Sequence, residues 1–483
     1  MLKLSPVYGK PLANLVMSLS SRVGCTSVTS LSESLLYHYQ YSSICDTIHN
    51  IALTPADLAV LKTVVLRDLF RDTNGVAPVE SIYTLQIDVC NAEKAATRCF
   101  AGRTQNYKAN NAVPGNRPVS PGYAVSYLNL CESEQSWSLP LHSQRVELSQ
   151  SESECAQQQL AILLSDPQLP FGSALTIAVL DSKYGNAAYL SAVYAHENLV
   201  NIVRHRSGSK IYLSVESHNP QGAPTQYGGE YFLLPESRTY EGICKDKPYQ
   251  KRQTSIFDIS PHDQQTHLSQ THKGRQLRIL ITRWNNCKIR TKDGNNMKDK
   301  AFDLCCAQVF DAETGKTVFD KPLWFTVNGK RKDQISTLKA YTSYRQRYGI
   351  EPFFRFNKQH LFFQDFQTPD SQHFDNWLIV SLLATWLLYA AREELQYAPK
   401  KWQKYLPQSK AALQEPKKLT LSQAYHAAES LFCTFDEKPF SPKRANKPHG
   451  RRKGEKCKQR PKFSVVKKPK KRRKKDNITP KPT

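Results

Sequence analysis

Residues 344–358 have the sequence YRQRYGIEPFFRFNK, in which four polar side chains fall at helical spacing. Tyr344, Arg347, Glu351 and Lys358 follow one another at steps of three, four and seven residues. At about 100° per residue, these side chains lie within an arc of roughly 60° on a helix. The pattern therefore places an acid that can hold a metal beside two cations that can hold phosphate, or else it is an ordinary solvated helix face.

Pro352 interrupts this helical pattern directly after the acid. Proline lacks an amide donor and disfavours the helical region for the residue before it, which is Glu351. We therefore expect a kink or a restarted helix here, with Pro352 in its first turn.

Two further acids stand at the ends of predicted strands. Apolar residues alternate with polar ones from Ile82 onward, and the alternation predicts a half-buried strand that ends at Asp88 with its carboxylate away from the apolar face. Residues 175–181 form a short apolar run that ends at Asp181, which is typical of a strand buried on both faces. A helical stretch to about His196 and a strand at 199–204 follow, so this part predicts a β-α-β unit.

The chain has 483 residues and a formal net charge of +25, and the charge is unevenly placed. Residues 441–483 carry 19 Lys and Arg against two acids, or +17, which leaves +8 for the other 440 residues. This tail has almost no apolar residues to bury, so we expect it to be disordered until it meets a polyanion such as DNA. A nuclear-localisation signal, an RNA-binding arm and a solubility tail are alternatives that a basic run alone does not separate.

Cysteine usage and hydropathy indicate a protein that is not exported. The 12 cysteines include no CxxC pair, which suggests reduced thiols in a cytoplasmic protein. No secretory signal is visible at the N-terminus. The most apolar run, residues 377–391, is short for a bilayer and is expected to be a buried core helix, so we expect no membrane association.

The pattern Tyr-x2-Arg-x3-Glu-x6-Lys resembles that of DDE transposases of bacterial insertion sequences, in the branch named for its Tyr-Arg-Glu-Lys signature. All four positions match. The resemblance implies an α/β fold: an RNase H-like mixed sheet flanked by helices, interrupted by a β-rich insertion, with an N-terminal helical module and the basic tail. The expected divisions of the chain are these: 1–75, the helical module that binds DNA ends or serves as a dimerisation or packing cap; 76–204, the first part of the catalytic core; 205–330, the β-rich insertion; 331–440, the C-terminal helices of the core; and 441–483, the disordered tail.

The resemblance makes Asp88, Asp181 and Glu351 the catalytic acids. Such carboxylates would bind two Mg²⁺ ions, for which Mn²⁺ can substitute, because magnesium prefers hard oxygen ligands. Asp88 departs from the family pattern, since the Asp-x-Thr often seen at the first acid is absent. Other residues are implied to contact phosphate or to extend that surface: Tyr344, Arg347, Lys358, Arg204 and Arg206. Some relatives stack a flipped base on an aromatic of the insertion, and Trp284 and Trp324 are candidates, although core packing is the commoner role for such residues.

These expectations together describe an enzyme that cleaves double-stranded DNA at transposon ends and transfers the strand into target DNA. Two ends need two active sites, so we expect a homodimer in the DNA complex, acting in the cytoplasm on the nucleoid. The alternatives are an inactive or domesticated relative that only binds DNA, and a nuclease of the same fold that cuts but never joins.

Overall fold

The computed structural model describes most of the chain. The described residues are 9–21, 25–67, 82–95, 97–107, 119–132, 137–214, 227–244, 247–271, 273–290, 297, 299–396, 419–434, 454 and 459–466. Residues 1–8, 22–24 and 68–75 of the predicted N-terminal module and most of the predicted tail therefore lie outside the described residues.

Three helices open the chain: α1 (Gly9–Leu19), α2 (Tyr41–His49) and α3 (Pro55–Leu66). Helix α3 begins at a capping box, in which Thr54 accepts from the Asp57 amide and the Asp57 side chain accepts in return from Thr54. All three helices pack against the long helix α8 (Ser371–Ala391), so this module shares a core with the C-terminal helices. DNA-end binding and a dimerisation or packing cap both stay predictions for this module.

A mixed β-sheet organises the rest of the fold. Its first parallel set is β1 (Tyr83–Glu93), β5 (Thr176–Leu180) and β6 (Leu199–Arg204), in that order. Strands β2 (Thr104–Tyr107), β3 (Val119–Glu132) and β4 (Trp137–Arg145) continue the sheet beyond β1, with β3 antiparallel to β1. The result is a large mixed sheet flanked by helices, consistent with an RNase H-like core.

The strands of the β-rich part join this same sheet. Strand β14 (Leu323–Asn328) pairs antiparallel with β6, and β13 (Phe302–Asp311), β12 (Gln276–Lys288), β7 (Lys210–Leu213) and β8 (Glu230–Phe232) follow in order. Strand β11 (Asp263–Gln270) pairs with β12, while β9 (Arg238–Cys244) and β10 (Lys247–Gln253) form a separate hairpin. The segment that the sequence marks as an insertion therefore extends the central sheet.

Residues 132–166, which have the composition of a polar linker, contain both strand β4 and helix α4 (Glu152–Leu164). Strand β4 buries Trp137, Leu139 and Leu141. Helix α4 begins at a capping box formed by Ser151 and Glu154. The apolar residues of β4 and the capping box of α4 are few and lie among polar residues. The overall composition of the segment therefore does not predict this strand or this helix.

The segment with the four polar residues is divided into three pieces. Helix α6 (Thr337–Gln346) passes into a 3-10 turn at Arg347–Gly349, and α7 (Ile350–His360) begins directly after it. Pro352 is therefore in the first turn of α7, as expected, where a missing amide costs no helical hydrogen bond. Helix α5 (Ala187–Val193) connects β5 to β6, and α9 (Leu421–Thr434) packs on α8.

Helix α8 is longer than the apolar run predicts, because Asp370 caps its N-terminus by accepting from the amides of Gln372 and His373. By length and composition it could cross a membrane, but 67% of its most apolar window is buried inside the protein. Trp377 and Trp386 are fully or nearly fully buried in the core. This confirms the prediction of a core helix.

Residues 459–466 are the longest described part of the predicted tail. They lie extended beside residues 98–104: the amides of Phe463 and Val466 donate to the carbonyls of Arg98 and Arg103 at 2.9 and 2.7 Å. Phe463, Val465 and Val466 interrupt the basic composition of the tail. Composition averaged over 43 residues does not indicate this docked segment.

Candidate active site

Alternate residues of β1 build one side of the candidate site. The strand continues to Glu93, so Asp88 lies in its middle and does not end it. Gln86 donates to the carbonyl of Gln346, and Asp88 contacts Arg347. Since Gln86, Asp88 and Cys90 point to one face, this face lies beneath the α6–α7 segment. The polar face of β1 is thus covered by helices, whereas the alternation alone predicts a solvated face.

Asp181 follows β5 directly. In the parallel register, Ile87 of β1 aligns with Leu180 of β5, so Asp88 and Asp181 are the next residues on two neighbouring strands. Burial raises the pKa of the Asp88 carboxyl, and the charge of Asp181 raises it further, while the Val89 amide and Arg347 oppose this. The structure therefore brings the first two predicted acids together.

Glu351 lies at the first turn of α7, and its side chain is 58% exposed. The 3-10 turn before it comes very close to β1: a Cβ added at Gly349 would be 2.9 Å from Nε2 of Gln86. Any larger residue at this position would force a shift, so glycine fits best here. Glu351 follows two residues later, in the first turn of α7.

Arg347 links two of the acids. Its Nη1 is 3.2 Å from Oδ2 of Asp88, and its Nη2 is 3.7 Å from Oε1 of Glu351. Burial disfavours the charge on Arg347, but Tyr344, Asp88 and Asp181 outweigh that effect and raise its pKa. Arg347 therefore lies between two of the predicted acids, next to Glu351 as the helical spacing indicates.

Tyr344 and Lys358 have different surroundings. Tyr344 is fully buried, and its ring stacks on Phe325 with centroids 5.6 Å apart. Burial raises the pKa of Tyr344 to about 12. A phosphate contact by Tyr344 would require its hydroxyl to become exposed.

Lys358 is half-buried and lies beside Cys90. Burial raises the pKa of the Cys90 thiol to about 12, and the charge of Lys358 opposes this rise. Both phosphate contacts stay predictions.

Arg204 ends β6 and is exposed, as is Arg206. Arg204 lines a cavity of about 1020 Å³, together with Arg345, Tyr348 and Trp324. Trp284 is fully buried and Trp324 is 2% exposed, and their rings stack 5.9 Å apart, so both are packing residues here.

Tyr348 is a site residue that the sequence analysis did not identify. Its ring lies 4.8 Å from the Arg347 guanidinium, so the two form a cation–π contact. In the sequence, only its position next to Arg347 suggests this contact.

The acids fit a divalent cation in their donor chemistry, since carboxylate oxygens are the ligands that Mg²⁺ prefers. Within the part of the chain that the structure describes, no three His, Cys, Asp or Glu side chains lie close enough together to hold a metal ion. Arg347 lies between Asp88 and Glu351, which accounts for their separation. The ten cysteines whose side chains are described form no disulfide among the described residues and provide no alternative metal site there.

The large mixed sheet flanked by helices, with Asp88 and Asp181 on neighbouring strands, is consistent with an RNase H-like fold. The family model of the DDE superfamily endonucleases matches residues 12–259, just over half of the chain. The chain therefore belongs to the DDE superfamily endonucleases, which supports a DDE transposase, a DNA substrate and dependence on a divalent metal. The match covers Asp88 and Asp181 and ends before Glu351. No curated protein matches the chain significantly.

Proposed function

We propose that this protein is a DNA transposase of the Tyr-Arg-Glu-Lys branch, encoded by an insertion sequence. It cleaves DNA at the element's ends and joins the freed strand to target DNA. The observation that supports this most directly is the convergence of Asp88 and Asp181 on neighbouring strands with Arg347 and Glu351 above them. Family membership supports the nuclease class, and the four-residue pattern supports the branch.

Asp88, Asp181 and Glu351 would hold the divalent ions, two Mg²⁺ with Mn²⁺ as a substitute. When bound, the ions supply positive charge to the attacking and leaving oxygens of an in-line displacement. Arg347 and Lys358 would bind phosphate oxygens, Arg347 through its planar fork and Lys358 as a point charge. Nη1 of Arg347 contacts Asp88, so phosphate would bind the remaining N–H groups of the guanidinium or draw the arginine away from Asp88.

The proposed reaction has two balanced steps. In the first, water attacks phosphorus at the element's end; a new P–O bond forms, the P–O3′ bond breaks, and a free 3′ hydroxyl results. In the second, that hydroxyl attacks a phosphorus of target DNA, and the target's own 3′ oxygen leaves. Two ends are joined together, so two active sites are needed, and we propose a homodimer in the DNA complex. The proposed location is the bacterial cytoplasm, on the nucleoid.

The test is magnesium-dependent cleavage and strand transfer on DNA that carries the gene's own flanking ends. The variants are Asp88→Ala, Asp181→Ala and Glu351→Ala, and the matched control is Glu313→Gln, an exposed acid on the β13–β14 connection. We expect each of the three Ala variants to bind DNA and to lose cleavage by about 10²–10³-fold, the loss typical of removing a catalytic electrostatic group. The control should cleave and join normally.

Other outcomes select the alternatives. If the intact protein cuts but gives no joined product, it is a nuclease of this fold. If the intact protein binds DNA without cutting, with or without Mn²⁺, the chain is a DNA-binding relative. If only Asp88→Ala behaves like the intact protein, the first acid has been assigned to the wrong residue.

A further inference from the structure

Gln86 lies on β1, two residues before Asp88, and its side chain is fully buried. Its Nε2 donates to the carbonyl of Gln346, the last residue of α6. In a continuous helix that carbonyl would accept from the amide of Ile350, four residues later. Here the Ile350 amide donates to the carbonyl of Arg347. Gln86 therefore takes the place of a helical donor at the point where the helix is interrupted.

The side-chain amide of Gln86 has one orientation that satisfies its neighbours. Its Oε1 accepts from the hydroxyl of Ser138, and the oxygen of that hydroxyl accepts from Nδ2 of Asn129 at 2.8 Å. A flipped amide would place Oε1 against the carbonyl of Gln346, and two acceptors cannot form a hydrogen bond. Ser138 and Asn129 are buried as well. Three buried side chains on β3, β4 and β1 thus direct their donors toward the end of α6.

Alternate residues of β1 hold consecutive residues at this place. Gln86 binds the backbone of Gln346, and Asp88 pairs with the side chain of Arg347 at 3.2 Å. The ion pair consists of charges for which a divalent cation and a phosphate group compete. The hydrogen bond from Gln86 joins an amide to a carbonyl, so neither competitor acts on it directly. Opening the ion pair therefore leaves the hydrogen bond from Gln86 in place.

We propose that Gln86 is a positioning residue of the candidate active site, which keeps the Arg347–Gly349 turn on β1 when the ion pair between Arg347 and Asp88 opens. This role rests on the proposed function, which supplies the phosphate and the divalent cation that compete for the pair. Arg347 is in this turn, and Glu351 follows it in the first turn of α7. A misplacement of about 1 Å can lower a catalysed rate about 100-fold, so the hold on the turn matters for cleavage.

The experiment measures amide hydrogen exchange at residues 347–351 in the absence of metal and DNA. Gln86→Met keeps a side chain of similar size and removes the hydrogen bond to Gln346. Arg347→Gln removes the ion pair, and the two substitutions are made singly and together. Urea unfolding of every variant identifies conditions in which it is folded, and exchange is compared under those conditions.

The matched control is Gln159→Met. Gln159 is another fully buried glutamine, on α4, and both ends of its amide are bonded. Its Nε2 donates to the carbonyl of Ser126 at 3.1 Å, and its Oε1 accepts from the hydroxyl of Ser126 at 2.7 Å. Among the described residues its hydrogen bonds are to Ser126 and His142, not to the α6–α7 segment. The control therefore costs buried hydrogen bonds without touching the turn.

In Arg347→Gln, exchange at 347–351 should stay close to that of the intact chain, because Gln86 still holds the turn. Adding Gln86→Met should speed this exchange about tenfold, because a buried carbonyl loses its donor. Adding Gln159→Met instead should not speed it, although both glutamine substitutions lower stability in urea. If Gln86→Met does not fold, Ser138→Ala removes the hydroxyl that orients the Gln86 amide and should speed the exchange less, in the same direction.

Cleavage kinetics separate positioning from stability in a second way. At a temperature where both variants are folded, Gln86→Met should lower kcat by up to about 100-fold with little change in KM for DNA. The reason is that the residues proposed to bind phosphate are still present, but the turn that carries Arg347 is no longer held. Gln159→Met should change neither constant.

Equal exchange in the double variant and in Arg347→Gln alone would overturn this role for Gln86, and so would an equal acceleration by Gln159→Met. Because exchange is measured without DNA, the proposed function is tested separately. If the intact chain never cuts DNA but the turn is released on loss of Gln86, the proposed function fails and the hold on the turn stands. If the intact chain cleaves DNA and Gln86→Met cleaves it equally fast, the positioning role fails and the proposed function stands.

Discussion

Nη1 of Arg347 lies 3.2 Å from Oδ2 of Asp88, at the place where a metal-binding carboxylate would need to be free. The arginine is 7% exposed and Asp88 is 22% exposed, so this ion pair is shielded from solvent. A cation and a metal ion that use the same carboxylate compete for it. The ion pair therefore opposes metal binding when no DNA phosphate draws Arg347 away.

The first prediction concerns Arg347→Gln. Removing the competing charge should tighten binding of Mn²⁺ in the absence of DNA by about tenfold, which corresponds to about 1.4 kcal/mol. DNA binding should weaken in the same variant, because a phosphate ligand is lost. Electron paramagnetic resonance of free Mn²⁺ measures the first effect, and a DNA titration in Ca²⁺ measures the second.

Arg345→Gln is the matched control for this experiment. Arg345 is exposed, and its guanidinium lies 5.9 Å from the ring of Tyr348, which Arg347 also contacts. Among the described residues, Arg345 forms no ion pair with Asp88 or Glu351. Its replacement should leave the affinity for Mn²⁺ unchanged. Unchanged or weaker Mn²⁺ binding in Arg347→Gln would show that the ion pair does not compete with the metal.

The second prediction concerns Gly349→Ala. The added Cβ would be 2.9 Å from Nε2 of Gln86, whose amide is held by Gln346 and Ser138. Either this amide or the turn has to move; because two hydrogen bonds hold the amide, the change should cost about 1–3 kcal/mol, as overpacking usually does. Because Glu351 follows this turn, cleavage should fall more than stability alone explains. Urea unfolding and cleavage kinetics at a temperature where the variant is folded separate the two effects.

Gly208→Ala is the control for the glycine, since a Cβ there meets nothing within 4 Å. It should change neither unfolding nor cleavage. If Gly349→Ala were as stable and active as the intact chain, the close approach of the turn to β1 would have no role in placing Glu351.

Local sequence patterns predicted the acids and the elements that carry them, but not how those elements meet. The β5 and β6 strands and the restart of a helix at Pro352 follow from short-range rules, and each agrees with the structure. The pairing of β14 with β6 is a contact between residues more than a hundred positions apart. No local pattern specifies such a pairing, so the β-rich part resembled an insertion.

The burial of Tyr344 and the ion pair of Arg347 illustrate the same limit within the site. Helical spacing puts both residues on one face, but it does not say whether that face meets solvent or the sheet. Here the face covers β14 and β1, so Tyr344 packs on Phe325 and Arg347 pairs with Asp88. The residue set was predictable, and its surroundings depended on tertiary packing.

The third prediction concerns the link between β3 and α7. Nδ2 of Asn357 donates to the hydroxyl of Tyr127 at 2.7 Å, and both residues are buried; Tyr127 is opposite Asp88 in the β1–β3 register. Tyr127→Phe leaves a buried amide unpaired and should lower the free energy of unfolding by about 1–3 kcal/mol. Denaturant unfolding measures this loss.

A double-mutant cycle with Asn357→Leu is the control for this pair. Once the hydroxyl is gone, replacing Asn357 should cost less than it does in the intact chain, by about 1 kcal/mol. Additive losses would mean that the hydrogen bond does not couple β3 to α7.

The last prediction concerns stability at acidic pH. Burial lowers the pKa of His142 and of His205 to about 4, below the ordinary 6.5. Nε2 of Gln159 donates to Nδ1 of His142, and the ring nitrogens of His205 have no hydrogen-bond partner among the described residues. Both imidazoles are therefore neutral in the folded protein at neutral pH.

The direction of the change in stability with pH follows from proton binding to these two histidines in the folded and unfolded states. Above pH 6.5 neither state binds a proton at these residues, and below pH 4 both do; between these values only the unfolded chain binds it, so stability falls as the pH falls. At pH 5 each histidine should lower the free energy of unfolding by about 2 kcal/mol relative to pH 7.5.

His205→Phe should remove one such loss, so its melting temperature should fall less between pH 7.5 and 5 than that of the intact chain. His38→Gln, which replaces an exposed imidazole, should not show this gain. Equal pH dependence of all three proteins would mean that His205 is not held neutral by burial.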